Sequence, residues 1–197
     1  MSWSEATVIG RVSTALNDPS TAIWGTATIQ AQIALDLRII NDVRPQLTYA
    51  TVAFAGTARE LSISGISDVL DIEEVEFPIS KQPRRFVNFT RRGNLLTLDD
   101  YRTSVSTADT AYIWYAAPHT VSGTVNTLDP SEEAILVELV ASHLLQNLAL
   151  DKIDSVPIYG TPWREYLTSG ERREQKVMTR LYGLAKSNFA VRYPDVK

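Results

Sequence analysis

Two histidines, a knot of carboxylates and a run of arginines are the residues in this sequence whose types and spacing could do chemistry. His119 follows Pro118 in a polar stretch and has no carboxylate close by in sequence. His143 lies one turn from Leu139 and Val140 in an apolar helical run, where a satisfied, partly buried imidazole is the expected reading rather than a ligand or base. Asp68, Asp71, Glu73, Glu74 and Glu76 could share acid–base work or hold a hard cation. Yet Glu74 and Glu76 alternate with Val75 and Phe77, the pattern of a strand's wet face, so a solvated or interface face is expected there. "KQPRRFVNFTRR", residues 81–92, interleaves Lys81, Arg84, Arg85, Arg91 and Arg92 with Phe86 and Phe89. Three readings stand side by side: a hairpin with its apolar face inward and arginines outward, contact with acidic surfaces of a neighbouring subunit, or a nucleic-acid platform. Trp24, Trp114 and Trp163, with Tyr112, Tyr115 and Tyr166, read as core or interface anchors.

Little else points to a reaction. "SGERREQK" lacks the glycine-lysine-hydroxyl pattern of a phosphate-binding loop. The dinucleotide-binding glycine pattern, the paired-histidine zinc helix and the nucleophile elbow are missing from the sequence as well. The 197 residues contain no cysteine, which removes disulfides, thiolate metal sites and a thiol nucleophile. No catalytic residue, cofactor or metal ligand is assigned, and a non-enzyme is expected. Residues 1–80 carry four basic and ten acidic side chains, and the remainder fifteen and thirteen, for a net charge of −4. Such a chain is poorly suited to sequestering DNA, because phosphate binding needs basic groups to displace counterions. No stretch reads as apolar enough to span a bilayer and "MSWSEATVIG" has no basic leader, so a soluble intracellular product is expected.

The elements that must position these residues follow from periodicity. Ser2 and Glu5 have capping-box spacing, and Val8, Val12 and Leu16 recur at helical intervals, predicting a helix from about Trp3 to Asn17 that stops at Asp18-Pro19. Thr26 or Thr28 is the expected cap of a second helix with Ile29, Ile33, Leu37 and Ile40 on its stripe, widened by Ala34 and Leu35. Asp36 falls on another face, and Pro45 closes the helix. Residues 47 to about 118 alternate in short runs: Val52 with Phe54, Leu61 with Ile63, then Ile72, Val75 and Phe77. A hairpin follows over "RRFVNFTRRGNLLTLDD" with Arg92-Gly93-Asn94 at its turn, and then the strand "TAYIWYAA". "PHTVSGTVNT" reads as a polar link. Asp129 as N-cap, Pro130 as first residue and Glu132 closing the box open a third helix. A loop with Pro157 and Gly160 precedes Thr161-Pro162 and a fourth helix, with a break expected at Ser169-Gly170. The fold class is therefore α+β: a four-helix assembly of two N-terminal and two C-terminal helices with a small antiparallel β unit inserted. Its parts are an N-terminal helical hairpin (1–46), the β-rich unit (47–124), the C-terminal helices (125–189) and an extended tail (190–197).

"LNDPSTAIW", followed by an amphipathic helix closed by Arg44-Pro45, resembles the beginning of head–tail adaptor (connector) proteins of tailed bacteriophages. The next β segment, "VAFAGTARELSIS", has Gly56, Arg59 and Leu61 where that resemblance expects them, although Glu60 and Ser62 stand where many relatives carry Gln and Pro. The similarity is clearest over residues 8–75 and topological over 125–197. It implies a homo-oligomeric ring, usually a dodecamer, at the virion neck beneath the portal protein, made in the host cytoplasm. Such a ring extends the channel for genomic DNA, which passes without sequence recognition, and docks a downstream tail or nozzle protein; no membrane is involved. An acidic lining would let DNA slide. Arg192, Tyr193 and Pro194 are portal-contact candidates, and Lys81, Arg84, Arg85, Arg91 and Arg92 are neighbour- or tail-contact candidates. The rivals are another neck component (a stopper or tail terminator), a nucleic-acid-binding regulator using the arginine hairpin, and an enzyme using the acidic cluster and His119.

Overall fold

The computed structural model describes residues 4–54, 59–79, 81–99, 105–106, 108–155 and 163–192. Among the described residues four helices and antiparallel sheets make the chain mixed α+β. It divides into two compact units, residues 1–44 with 119–197 and residues 45–118.

In the first unit, α1 (Glu5–Ala15) buries Val8, Val12 and Leu16, the periodic positions of the sequence. Its cap is Ser4, whose Oγ accepts the Thr7 amide at 3.3 Å, rather than Ser2, which lies outside the described residues. The helix does not end simply because a proline follows. Asn17 takes a left-handed φ of 56°, the Asn17 amide donates to Thr14 and the Asp18 amide donates to Ser13. This is the Schellman closure, with asparagine in the position glycine usually holds. α2 (Thr26–Val43) is capped by Gly25 without a side-chain bond, in place of Thr26 or Thr28. Ile29, Ile33 and Ile40 are buried, whereas Ala34 and Leu35 point outward. Asp36 is buried, against expectation. It lies three residues after Ile33 and four before Ile40, and so shares their stripe.

α3 (Pro130–Ser155) opens with the capping box read from the sequence: Asp129 Oδ1 accepts the Ser131 and Glu132 amides, and Glu132 Oε2 accepts the Asp129 amide at 2.7 Å. It packs against α1, α2 and α4. Residues 130–152 are long and apolar enough to cross a membrane by length and composition, which corrects the sequence reading; most of that stretch is buried within the unit. α4 (Trp163–Arg192) runs unbroken through Ser169-Gly170 and reaches Arg192, so residues 190–192 are helical where a tail was expected. The loop residues Pro157, Gly160, Thr161 and Pro162 lie outside the described residues. The expected polar link forms a small hairpin, β8 (Val121–Ser122) with β9 (Val125–Asn126), whose Gly123 takes a φ of 55° and exchanges hydrogen bonds with Glu5.

The second unit has two sheets on one core. The four-stranded sheet has the order β1 (Gln46–Ala53), β7 (Thr110–Ala117), β3 (Asp71–Glu76), β4 (Phe86–Val87), antiparallel throughout. The other has the order β2 (Glu60–Ser62), β6 (Leu95–Leu98), β5 (Phe89–Arg92). Phe54, Leu61, Ile72, Val75, Val87, Leu96 and Ile113 meet between them. Ile72 and Val75 are an odd number of residues apart, yet both reach this core because the β3–β7 register slips between Ile72 and Glu74, making Glu73 the extra residue of a bulge. "RRFVNFTRR" is not one hairpin arm. Phe86–Val87 pairs with β3, and the chain then changes sheets at Asn88. The hairpin is β5–β6 alone, with Gly93 at a φ of 60° in its two-residue turn.

Gly170 marks the closest approach of α4 to α3. A Cβ there would lie 2.6 Å from Gln146 Cγ and 3.0 Å from the Ser142 carbonyl oxygen. Gly170→Ala gains helix propensity of about 1 kcal/mol but overpacks a crossing, which costs about 1–3 kcal/mol. Because one neighbour is backbone, the clash should win, and urea unfolding should show a lower midpoint for the variant.

Candidate interaction surface

Within the helical unit the polar side chains that could do chemistry are spent on holding helices. His143 Nδ1 lies 2.8 Å from Asp36 Oδ1, and its Nε2 lies 3.5 Å from Glu174 Oε1. Gln32 donates to the same Asp36 oxygen at 2.8 Å, and Gln146 donates to Glu174 at 2.9 Å. α2, α3 and α4 are thus joined through one imidazole. The hydrogen bond to Asp36, helped by the charges of Asp36 and Glu174 and opposed by burial, holds the His143 pKa above its ordinary value. An Asp–His pair is the orienting half of a nucleophile triad. Here the second ring nitrogen faces another carboxylate instead of a hydroxyl.

His119 acquires the carboxylate that it lacks in sequence. Its Nε2 is 3.1 Å from the Arg44 carbonyl oxygen and 3.7 Å from Glu132 Oε1, while Nδ1 faces Thr127. Arg44 reaches Asp129 at 3.2 Å and Glu132 at 3.1 Å, and Asn41 accepts the His119 amide at 2.7 Å. Asp18 accepts the amides of Ala22, Ile23 and Trp24 at 3.0, 2.9 and 3.1 Å. Those bonds, Trp24's foremost, hold its carboxyl below the usual range against the opposing effect of burial. The residues on which the adaptor resemblance rests therefore have structural duties: Asn17 and Asp18 turn the chain, Trp24 is buried, and Arg44 clasps the start of α3. Gly56 lies outside the described residues.

The acidic cluster does not converge. Asp68 sits at a φ of 57°, Asp71 accepts its neighbour's amide at 2.8 Å, and Glu73 occupies the bulge. Glu74 lies on the sheet's outer face, as expected. Glu76 shares that face but is 3% exposed, in register between Tyr112 and Phe86, so the wet-face reading fails for it. Among the described residues no group of three or more His, Asp or Glu side chains is arranged to hold a metal ion.

The β unit instead presents a surface. The outer face of its four-stranded sheet carries Leu47 and Tyr49 of β1, Tyr112 and Trp114 of β7, and Phe86 of β4. Tyr49 is 53% exposed and Phe86 48%. The Tyr49 ring lies 5.1 Å from Tyr112 and 5.0 Å from Trp114, centre to centre, and the Arg84 guanidinium lies 5.7 Å from the centre of the Trp114 ring. Lys81, Arg84, Arg85, Arg91 and Arg92 are all exposed, but they fall into two groups: Lys81, Arg84 and Arg85 precede β4, and Arg91 and Arg92 belong to β5 of the other sheet. Phe86 faces outward, so the inward apolar face expected of it is corrected; Val87 holds the core position. Arg192 ends α4, and Tyr193 and Pro194 lie outside the described residues. Sequence reading missed the aromatic face because β1 and β7 are far apart in the chain. Its local signs were the alternation of Leu47 and Tyr49 against Thr48 and Ala50, and that of Tyr112 and Trp114 against Ile113.

No model of a known protein family matches the chain, and none of the curated proteins aligns with it significantly.

Arg44→Ala strands Glu132, which is 4% exposed on its side chain, and should lower unfolding free energy by about 3 kcal/mol, read from denaturant titration. His143 has a raised folded-state pKa, so its contribution is full below 6.5 and is lost as pH rises through the folded value. Stability should therefore decline as pH rises above 6.5, and His143→Gln should flatten that decline while costing about 1–3 kcal/mol at pH 6. Thermal unfolding across pH 5–9 checks both.

Proposed function

We propose that the chain is a structural head–tail adaptor of a tailed phage: one subunit of a ring beneath the portal that extends the DNA channel and docks the next tail component. In this reading the four helices form a ring-building assembly and the β unit is an insertion that meets neighbours or the tail. The observation that carries the proposal is the use made of the resembling residues. Asn17, Asp18, Trp24 and Arg44 build the α1–α2 turn and the α2–α3 clasp, so the likeness lies in a scaffold, as a structural protein requires. The use of both histidines to tie helices and chain ends together supports a non-enzymatic role.

A head-to-tail interface closes into a ring when its rotation permits. α4 offers a long exposed face for such packing, with Tyr166 and Tyr182 outward, and it ends at Arg192, where the portal clasp of Arg192, Tyr193 and Pro194 would begin. The acidic balance of residues 1–80 suits a channel along which DNA slides rather than sticks.

Native mass spectrometry with and without the portal tests the ring, for which the adaptor resemblance implies a dodecamer; a head-to-tail interface that closes gives one defined copy number. A chain that stays solitary with portal present, or lies away from the neck in electron micrographs of particles, sinks the proposal. Deleting residues 190–197 should abolish portal attachment and leave the fold intact. Reversing charge at Arg84 and Arg85 should weaken assembly without unfolding the monomer, and normal ring formation would count against it.

A further inference from the structure

The two edges of the four-stranded sheet are complementary to each other. Hydrogen-bonded pairs alternate along an antiparallel ladder. The Phe54 amide donates to Asp109 at 3.2 Å, so the backbone groups of Val52, Ala50 and Thr48 point towards β7. Those of Leu47, Tyr49 and Thr51 then point away from the sheet. At the other edge, the Phe77 amide donates to Arg85 at 3.0 Å, so Arg85 and Val87 face β3 and the backbone groups of Arg84 and Phe86 point away. The second sheet joins these edges at their ends, through the Phe54–Leu61 bridge and the Asp99 amide on Asn88, and among the described residues no strand pairs with Leu47, Tyr49, Thr51, Arg84 or Phe86.

Three further features match. β1 is antiparallel to β7, β7 to β3 and β3 to β4, so β1 and β4 run in opposite senses. A second copy placed alongside in the same orientation therefore continues the antiparallel alternation. The side chains of the outward-pointing residues, Leu47, Tyr49 and Thr51 at one edge and Phe86 at the other, all lie on the sheet's outer face, as members of one hydrogen-bonded pair must. Leu47, Tyr49 and Phe86 are 41%, 53% and 48% exposed, and pairing the edges would cover them with one another. β1, "QLTYATVA", has no charge, proline or bulge, the devices that keep an edge from pairing. A β1–β1 contact would leave Phe86 uncovered.

We infer that the β1 edge of one copy binds the β4 edge of the next, joining four-stranded sheets head to tail through backbone hydrogen bonds. Only the closing of that row into a ring rests on the adaptor reading; the edge pairing stands on this unit's geometry. Arg84 and Arg85 then sit at the junction, which gives the basic segment a duty at the neighbouring copy.

The cysteine-free chain allows a direct test. Tyr49→Cys with Phe86→Cys, and separately Thr51→Cys with Phe86→Cys, place thiols across the junction, where paired Cα atoms about 5.5 Å apart permit a disulfide. Under mild oxidation of the full-length protein, at least one double variant should give a ladder of dimers, trimers and higher species, and the single variants should not. Adding Thr51→Pro to the Tyr49/Phe86 pair removes an outward amide without touching the β1–β7 ladder, and should cut the ladder about fivefold or more. Dimers from Tyr49→Cys alone, without a ladder in the double variants, would show β1 meeting β1 and overturn the inference. No cross-linking in either double variant would overturn it too, and rings seen by native mass spectrometry of the same sample would then leave the adaptor reading standing. An open-ended ladder without closed rings would support the edge pairing and count against the ring.

Discussion

The helical unit depends on the cluster around Arg44. The chain leaves the unit at Arg44 and returns at His119, after the whole β unit has been made. Without a tie between those points, α3 would have to find α1 and α2 across a long closed loop, whose entropic cost grows with its length. The tie is compact. The Arg44 guanidinium reaches Asp129 and Glu132, the Arg44 carbonyl faces His119, and Asn41 takes the His119 amide. Asp129 and Glu132 are also the two halves of the α3 capping box. One cation thus fixes the end of α2 and the start of α3 together, and losing it leaves the buried Glu132 carboxylate in a medium that solvates it poorly.

The same economy recurs in the core. One chain of polar groups in it links helix to helix: Asp36 with His143, His143 with Glu174, Glu174 with Gln146. Apolar packing alone tolerates sliding of one helix along another, whereas hydrogen bonds between fixed donors and acceptors do not. Gly170 adds a steric register mark, because only a residue without Cβ lets α4 approach Ser142 and Gln146 so closely. α3 and α4 are held at one offset by both devices, and any surface built on α4 inherits that precision.

What was legible in the sequence was local. Val8, Val12 and Leu16 announced α1 by spacing, and Asp129-Pro130-Ser131-Glu132 announced α3 by cap chemistry, because each signal is complete within a few residues. Asp36 was misplaced because polarity outweighed position; its stripe membership is plain from the spacing to Ile33 and Ile40, but its partner His143 is more than a hundred residues away. Gly170 looked like a break because propensity carries no information about a neighbouring helix. Glu73 and Asn88 defeated the strand reading for a related reason. A bulge inverts the alternation downstream, and a sheet change splits one basic segment between two surfaces.

The sheet edges left no sign in the sequence. Side-chain alternation reports faces, while edges are a property of backbone direction and of which strand lies outermost, and neither is written in any single segment. β5 bears Arg91 and Arg92, charges of the kind that discourage pairing of an edge, β2 is only three residues long, and the two-residue β4 follows Pro83, Arg84 and Arg85. β1 has eight residues and no such guard, and the exposed side chains at its edge and at β4 lie on one face. A lone copy in water would leave that contrast without purpose, since an uncharged edge brings only the risk of disordered association. Copies held in one orientation would give it a purpose, because the unguarded β1 edge would then meet a defined partner.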